Sequence, residues 1–565
     1  MIRREWQWTT TRILLLMVFI SLPDVMAGAF HPAGAEFIGS FWSAHDLSQY
    51  KAAMEEAATT NSWLIHDHLT PEPHNPALIY PFYVALGKIV SMTHFSTGTV
   101  YWTAMIVSRL FLMFAIYAFC KVFFKEVWQR KAGFVMRVGA SGLAAFIATA
   151  ERITGARLVN AAYFPEWNVP EVSTFLTLFT YPHLMVALGL ILLAARSYIT
   201  WVQQGQRRDV AILILAVILI GFANPFSLGT ISAVAGVYLV AEFALLRKLE
   251  FRQISGTLSV WAASLPFLLY NFLTFTNDPF WGTVYGTQNI LPTHSPLAIA
   301  SGFGLIIPLA VLGAARIALQ RSRPQLFLIC WIVTSLVLMY LPVPFQRRFA
   351  FGLHPFLSVL AGFGVVSLVT TIQNWPGRSL ALKLVSVRVT RYALILMLGF
   401  SSITLYVIAA EAALGKGELA DYVYERESIV VASHWLRDQT NETDVVFANE
   451  RTGNYLAGEI PGRVLSGHWS ATFQPDAKRQ ELYSFFDGGT TDTERQQILQ
   501  ESRADLVFYG PYEKAVGTFD PKQASYLSPV YENSEVTIYR LNSPPPKVEG
   551  EVSEPRTSPS APQSR

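Results

Sequence analysis

Cysteine is almost missing from this chain: Cys120 and Cys330 are the only two in 565 residues. Both lie inside apolar runs, so no disulfide framework can hold the polar C-terminal region, which must rely on an ordinary core. Charge is scarce as well, at 15% of residues against 52% hydrophobic, with a mean hydropathy of +0.33. So little charge, combined with apolar runs of about 20 residues, places the chain among polytopic membrane proteins. Gly-rich phosphate fingerprints and a Walker-type lysine loop are absent, so nucleotide hydrolysis is not supported. Basic residues occur only in short clusters between apolar runs, a pattern that offers nothing to nucleic acid. No internal repeat is visible.

The charge that is present is divided along the chain. Residues 1–411 carry 28 Lys and Arg against 17 Asp and Glu, whereas 412–565 carry 15 against 23. A basic part rich in apolar spans and an acidic polar part read as separate domains: 1–411 in the membrane, 412–542 as a small α/β domain, and 543–565 as a disordered tail. Apolar spans fall at roughly 13–32, 99–124, 133–150, 172–195, 209–226, 228–246, 255–275, 297–316, 325–343, 350–372 and 392–411. The expectation is therefore about 11 transmembrane helices. Arg3 and Arg4 before ILLLMVFISL, and VMAGA after it, have the pattern of a signal peptide, but the first span is expected to be retained as a membrane helix.

Lys and Arg fix the orientation. Clusters at Arg3/Arg4/Arg12, Lys121/Lys125/Arg130/Lys131, Arg196/Arg207/Arg208, Arg247/Lys248/Arg252, Arg316/Arg321/Arg323 and Arg378/Lys383/Arg388/Arg391 occupy alternate connections. That face is assigned to the cytoplasm. Loop 34–98, loop 151–171, loop 276–296, the turn at 344–349 and everything after 411 then lie outside, and the protein is expected in a bacterial plasma (inner) membrane.

In the outer region, RESIVVASHWLRDQ (426–439) reads as a helix and DVVFA (444–448) as a strand. A second helix is expected over 474–486. Thr491 and Glu494 form a capping box opening a third helix through Ser502. DLVFYG (505–510) and EVTIYRL (535–541) add strands, giving a small α/β domain. SPPPKVEGEVSEPRTSPSAPQSR has the composition of a disordered segment.

Several polar groups stand out because they crowd into outer loops. Loop 34–98 is far longer than an ordinary connection and carries His45, Asp46, His66, Asp67, His68, Glu72 and His74. Carboxylates and imidazoles are the groups that move protons near neutral pH. Asp46 opens the amphipathic run DLSQYKAAMEEAA, where it reads either as a helix cap or as a general base held at the membrane surface. In TPEPHNP (70–76), three prolines stiffen the backbone around Glu72 and His74. His66, Asp67 and His68 offer metal-ligand types, but local spacing alone does not define a divalent-metal site, and no cofactor is assigned. PVPFQRRFAFG (342–352) puts Arg347 and Arg348 on the outer side, against the positive-inside trend. Guanidinium forks suit phosphate oxygens; pairing with lipid headgroups or with Glu166 is the alternative. Loop 151–171 contains Glu151, Arg152, Arg157, Glu166 and Glu171 beside the aromatics of YFPEW. Pro182–His183 and Asn224–Pro225 interrupt spans as kinks or as cavity linings. The amides and aromatics of loop 276–296 suit either sugars or the membrane interface. In the outer domain His468 and Trp469 follow the expected strand RVLS.

One span, an acid within about 15 residues, a surface helix, a Pro-rich stretch and an aromatic segment (YPFYVALG) follow each other in this order. That layout resembles the GT-C superfamily of multi-span glycosyltransferases, which take sugars from polyprenyl-phosphate lipids. It also resembles a group of large bacterial membrane proteins with similar TPEPH and QRRF segments. The resemblance implies an outer-loop acid at Asp46, a basic phosphate holder at Arg347 and Arg348, and a second outer-loop acid at Glu166 or Glu171. His45, Glu72, His74, His468 and Trp469 are possible supporting groups. A single Asp, flanked by Ala44, His45 and Leu47, stands where the family usually carries two acids. The expected reaction moves a sugar from a polyprenyl-phosphate lipid to an acceptor (glycan, lipid or protein) on the outer face. A transporter or flippase of a lipid-linked or small polar solute is the alternative, and it calls for ionisable groups deep within several spans. A non-catalytic assembly protein of the same fold is the third reading.

Overall fold

The computed structural model describes the chain apart from residues 1, 43, 157–163, 248, 318–321, 375, 377, 378, 380–387, 391, 394, 395 and 546–565. Arg157, Lys248, Arg321, Arg378, Lys383 and Arg391, and the expected disordered tail from residue 546 on, lie outside the described residues. The chain forms two compact units. The first comprises Met1–Ala44, Gly98–Tyr270 and Leu291–Tyr424; the second comprises His45–Thr97, Asn271–Ile290 and the described part of Glu425–Arg565.

The first unit is helical because its sequence is apolar over long stretches. Among the described residues, seven helices are long and apolar enough to cross a membrane, or up to nine if each of two bent pairs is one span. The expectation of about 11 is therefore reduced to seven, or up to nine, among the described residues. Span 133–150 bends by 61° between Val127–Gly139 and Ala144–Thr154, and span 297–316 bends by 86° between Pro296–Phe303 and Ile306–Ile317. Spans 209–226 and 325–343 correspond to the helices Arg207–Ala223 and Arg323–Leu338. At 1.5 Å per residue these reach roughly 24–26 Å, near the lower limit for the hydrocarbon layer. Pro182 and Asn224–Pro225 prove to be helix boundaries, not kinks. Pro182 opens helix Pro182–Gln204, and Asn224 ends one helix just before Phe226–Leu246 begins. A proline with no N–H to donate is well placed at a first turn.

Close packing follows from small residues. A Cβ added at Gly313 would stand 1.8 Å from the Leu360 carbonyl oxygen, and one at Gly364 would stand 2.0 Å from that of Leu309. Helices Ile306–Ile317 and Leu353–Gln373 therefore approach to backbone contact, as small residues permit in membrane bundles. Charges within the spans are bound to partners: Arg109 donates to Asp24 at 2.6 Å, Ser21 and the Leu178 carbonyl. Glu242 accepts from Tyr238 and Gln253, and Arg137 donates to the carbonyls of Gly133 and Pro355. Such groups fasten one helix to another.

The second unit is an α/β layer. Its sheet runs in the order Arg463–Val464, Val445–Phe447, Leu506–Tyr509, Thr537–Leu541, Leu527–Glu532. The first three strands are parallel and the last two antiparallel. Hydrophobic clusters cover both faces, one around Ile429, Leu436, Val446, Leu456 and Phe508, the other around Phe447, Phe485, Leu499 and Val507. Thr491 and Glu494 make both halves of the expected capping box. Leu69, from the long loop, lies within the first cluster. The loop is thus an integral layer of this unit, and Phe280 and Trp281 of segment 271–290 join it by packing with Ala77, Ile79 and Phe473.

Candidate active site

Helix Ala44–Thr59 presents His45 and Asp46 in its first turn. Asp46 lies inside that turn and not at the cap, and the positive end of the helix favours its charge. His468 Nε2 stands 2.9 Å from Asp46 Oδ1. On its other side, His468 Nδ1 accepts from the backbone N–H groups of Ser470 and Ala471, both at 3.2 Å. Those two donors fix the tautomer: the proton sits on Nε2 and is given to Asp46. The imidazole side chain is 2% exposed and the carboxylate 33%. A buried donor thus steadies a carboxylate that still meets solvent. Gln49, one helical turn on, donates to the same Oδ1 at 3.3 Å. Trp469 is about half exposed beside this pair.

Asn454 ties the helix to the sheet domain. Its amide nitrogen donates to the carbonyls of His45 (2.9 Å) and Gly467 (2.6 Å), and its oxygen accepts from Ser48 Oγ at 3.0 Å. Gly467 is obligatory here, because a Cβ would stand 2.5 Å from Leu69 and 2.8 Å from the Asn454 nitrogen. Burial and the neighbouring His468 lower the pKa of His45. Asn454→Ala strands two carbonyls and a hydroxyl, each worth about 1–3 kcal/mol when buried without a partner. The variant is expected to lose about 2–4 kcal/mol in chemical unfolding of the second unit, and an unchanged midpoint would contradict the assignment.

The other acids and imidazoles of the loop are committed elsewhere. Glu56 accepts from His66 Nδ1 at 2.7 Å and contacts His68 Nε2 at 3.2 Å. Burial pushes its pKa up, but these two hydrogen bonds outweigh it and hold the carboxyl at about 2. Asp67 is buried and raised to about 6 by desolvation, against the pull of the Leu69 N–H. Glu72 pairs with Lys478 at 2.8 Å and accepts from Thr70. His74 stacks on Phe280 at 3.9 Å, with Nε2 accepting the Asp67 N–H. Glu72 and His74 thus anchor the Pro-rich segment. Among the described residues, no three His, Cys, Asp or Glu side chains are grouped to hold a metal ion.

His74 has a pH consequence. Burial first, and the charge of Arg463 second, hold its pKa at about 3. An unfolded chain binds a proton there below about pH 6.5. Between those values the unfolded state carries the extra proton, so stability falls as pH drops from about 6.5 toward 3. His74→Gln keeps the acceptor for Asp67 and removes the titration. From pH 7 to 5 the wild type is expected to lose up to about 1.4 kcal/mol per pH unit more than the variant; parallel Tm curves would contradict this.

The first unit carries a separate polar group. Arg347 Nε approaches Glu171 Oε1 to 3.8 Å, too long for a hydrogen bond. Among the described residues, Arg347 Nε, Glu171 Oε2 and His294 Nδ1 are all buried without hydrogen-bond partners. Leu291 and its neighbours run beside the QRR turn, with Leu291 N–H on the Pro344 carbonyl and Arg347 N–H on that of Leu291. Burial, then Arg347, lowers the His294 pKa. Arg348 instead lies over the Phe226 ring at 4.3 Å. Glu166 is separate from these: it accepts the Ala144 N–H at 2.9 Å and burial raises it to about 7. Buried polar atoms without partners require an explanation, and a bound polar group is one. Sequence reasoning missed His294, Gln49 and Asn454, which carry no motif of their own.

No protein-family model matches the chain, and no curated protein matches it in sequence. Solved structures do match. The archaeal oligosaccharyltransferase AglB from Archaeoglobus fulgidus, in complex with an inhibitory peptide and a dolichol-phosphate, superposes with a TM-score of 0.54 at 12% identity. That match covers 88% of this chain and 69% of AglB. The apo form of the Archaeoglobus fulgidus oligosaccharyltransferase gives 0.53 at 12% identity over 95% and 74%. ArnT from Cupriavidus metallidurans bound to undecaprenyl phosphate gives 0.48 at 11% identity over 93% and 97%.

Proposed function

The chain has the GT-C glycosyltransferase fold, and from that premise we propose that it transfers a sugar from a polyprenyl-phosphate lipid to an acceptor on the outer face of a bacterial plasma membrane. The observation that carries the reading is Asp46: a part-exposed carboxylate at a helix N-terminus, oriented by a buried imidazole N–H. Asp46 takes the proton from an acceptor hydroxyl as that oxygen attacks the anomeric carbon. The bond from the anomeric carbon to the lipid phosphate breaks, and the electron pair leaves with the phosphate. Arg347, whose Nε–H has no hydrogen-bond partner among the described residues, offers a guanidinium fork suited to the oxygens of the lipid phosphate, and Arg348 adds positive potential. His294 and Glu171 complete the polar surroundings of Arg347. The sugar–phosphate bond supplies the driving force. The AglB complex, which holds a dolichol-phosphate, is consistent with a lipid-phosphate donor.

The transport alternative calls for free ionisable groups deep in the spans, whereas Asp24, Arg109 and Glu242 are paired with one another or with neighbouring polar groups. The test uses purified protein in lipid vesicles with a polyprenyl-phosphate sugar. Release of free polyprenyl phosphate that depends on added acceptor supports transfer. Movement of the intact sugar lipid between leaflets without cleavage would establish the transporter instead.

A further inference from the structure

Three backbone irregularities converge on Asp46. Residues Gly282–Gln288 form a π-helix, a rare element concentrated at functional sites. Tyr80 and Gln474 are non-glycine residues in the left-handed region, with φ of 53° and 50°. Such conformations persist only where the surroundings over-determine them. Tyr80 contacts the π-helix through Tyr285, and Gln474 contacts it through Gln288.

The first contact opens a chain of oriented hydrogen bonds. Tyr285 donates its hydroxyl to Tyr80, and Tyr80 donates to Gln49 Oε1. Tyr80 is partly buried, and desolvation with the neighbouring phenol keeps it protonated and therefore a donor. Fixing the Gln49 oxygen turns its NH₂ to Asp46 Oδ1. The second contact reaches Asp46 by way of His468. Gln288 Nε2 donates to the carbonyls of Thr472 (2.8 Å) and Ser470 (3.3 Å), and its oxygen accepts the Gln474 N–H at 2.9 Å. Thr472 Oγ1 in turn accepts the His468 and Gly467 N–H groups, both at 3.0 Å. The loop so held is the one whose amides set the His468 tautomer.

We infer that the π-helical segment Gly282–Gln288 is a positioning element for Asp46, acting through Tyr285 on Gln49 and through Gln288 on the His468 loop. Neither side chain touches the reacting atoms. Both fix the direction of the carboxylate lone pair that receives the acceptor proton, and small misplacements of a base are costly in rate. The inference rests on the reading of Asp46 as general base.

The test is a double-mutant cycle on the full-length protein in detergent, with a polyprenyl-phosphate sugar and its acceptor. Tyr285→Phe removes one oxygen and leaves the ring stacked on Phe275. Its kcat is expected to fall roughly tenfold to a hundredfold, with the KM of each substrate within about twofold and Tm unchanged. Gln288→Ala is expected to show the same split, and Tyr285→Phe covers the case in which Gln288→Ala lowers Tm. In an Asp46→Asn background, measured by single turnover, Tyr285→Phe is expected to cost nothing further. A wild-type kcat for Tyr285→Phe, or an undiminished loss in the Asp46→Asn background, would overturn the inference and leave the general base intact. Full activity of Asp46→Asn alone would overturn the base assignment itself.

Discussion

Asp46→Asn is expected to lower sugar transfer by about 10²–10⁴, the usual cost of removing a positioned base. The change should leave the fold in place. Asparagine is nearly isosteric, and its Oδ1 can still accept from His468 and Gln49. The lost charge in the first helical turn is worth only about 0.3–1 kcal/mol. An amide does not take up a proton under these conditions, so chemistry is lost while geometry is retained. The measurement is turnover of a polyprenyl-phosphate sugar by wild type and variant, compared where Tm shows both to be folded. Turnover within about threefold of wild type, far inside that expected loss, would remove Asp46 from the mechanism.

Arg347 carries the second large expectation. Removing one donor aimed at developing negative charge typically costs about 10²–10³ in kcat, so Arg347→Ala should fall in that range. Arg347→Lys should recover only part of the loss, because an ammonium point charge lacks the planar fork that matches phosphate oxygens. Glu171, 3.8 Å from Nε, sits beside the guanidinium without a hydrogen bond to it. Glu171→Gln should therefore be far milder than Arg347→Ala. Single-turnover rates at saturating donor decide the matter. An Arg347→Ala rate close to wild type would mean that the unpartnered Nε serves packing only.

The sequence carried the architecture because hydropathy and capping are local properties. The long apolar helices, the capping box at Thr491 and the strands at 445–447, 506–509 and 537–541 each follow from a window of about ten to twenty residues, although the eleven expected spans exceed the seven to nine of membrane length among the described residues. The edge strand Leu527–Glu532 did not, since Pro529 and a bulge before Tyr531 break its alternation. Helix Glu450–Ala457 was hidden by Gly453. Asp46 was visible from its place after the first span, but its partners were not. His468 lies 422 positions away and Asn454 about as far, and no local pattern encodes such pairings. Glu72 and His74 show the converse: their residue types suited proton chemistry, yet Lys478 and Phe280 hold them in the packing. Whether a carboxylate is free to react depends on partners distant in sequence.

The stereochemistry of the product distinguishes a general base from a nucleophile at Asp46. In the proposed step Asp46 removes a proton while the acceptor oxygen attacks the anomeric carbon and the lipid phosphate departs from the opposite face. A single displacement of this kind inverts the anomeric centre, whereas a carboxylate acting as nucleophile would give two displacements and retention. Proton NMR of the purified product, made from a donor of defined anomeric configuration, reads the outcome through the coupling of the anomeric proton. Inversion is the result expected for Asp46 as general base. Retention, with a sugar bound covalently to Asp46 in trapped protein, would contradict it.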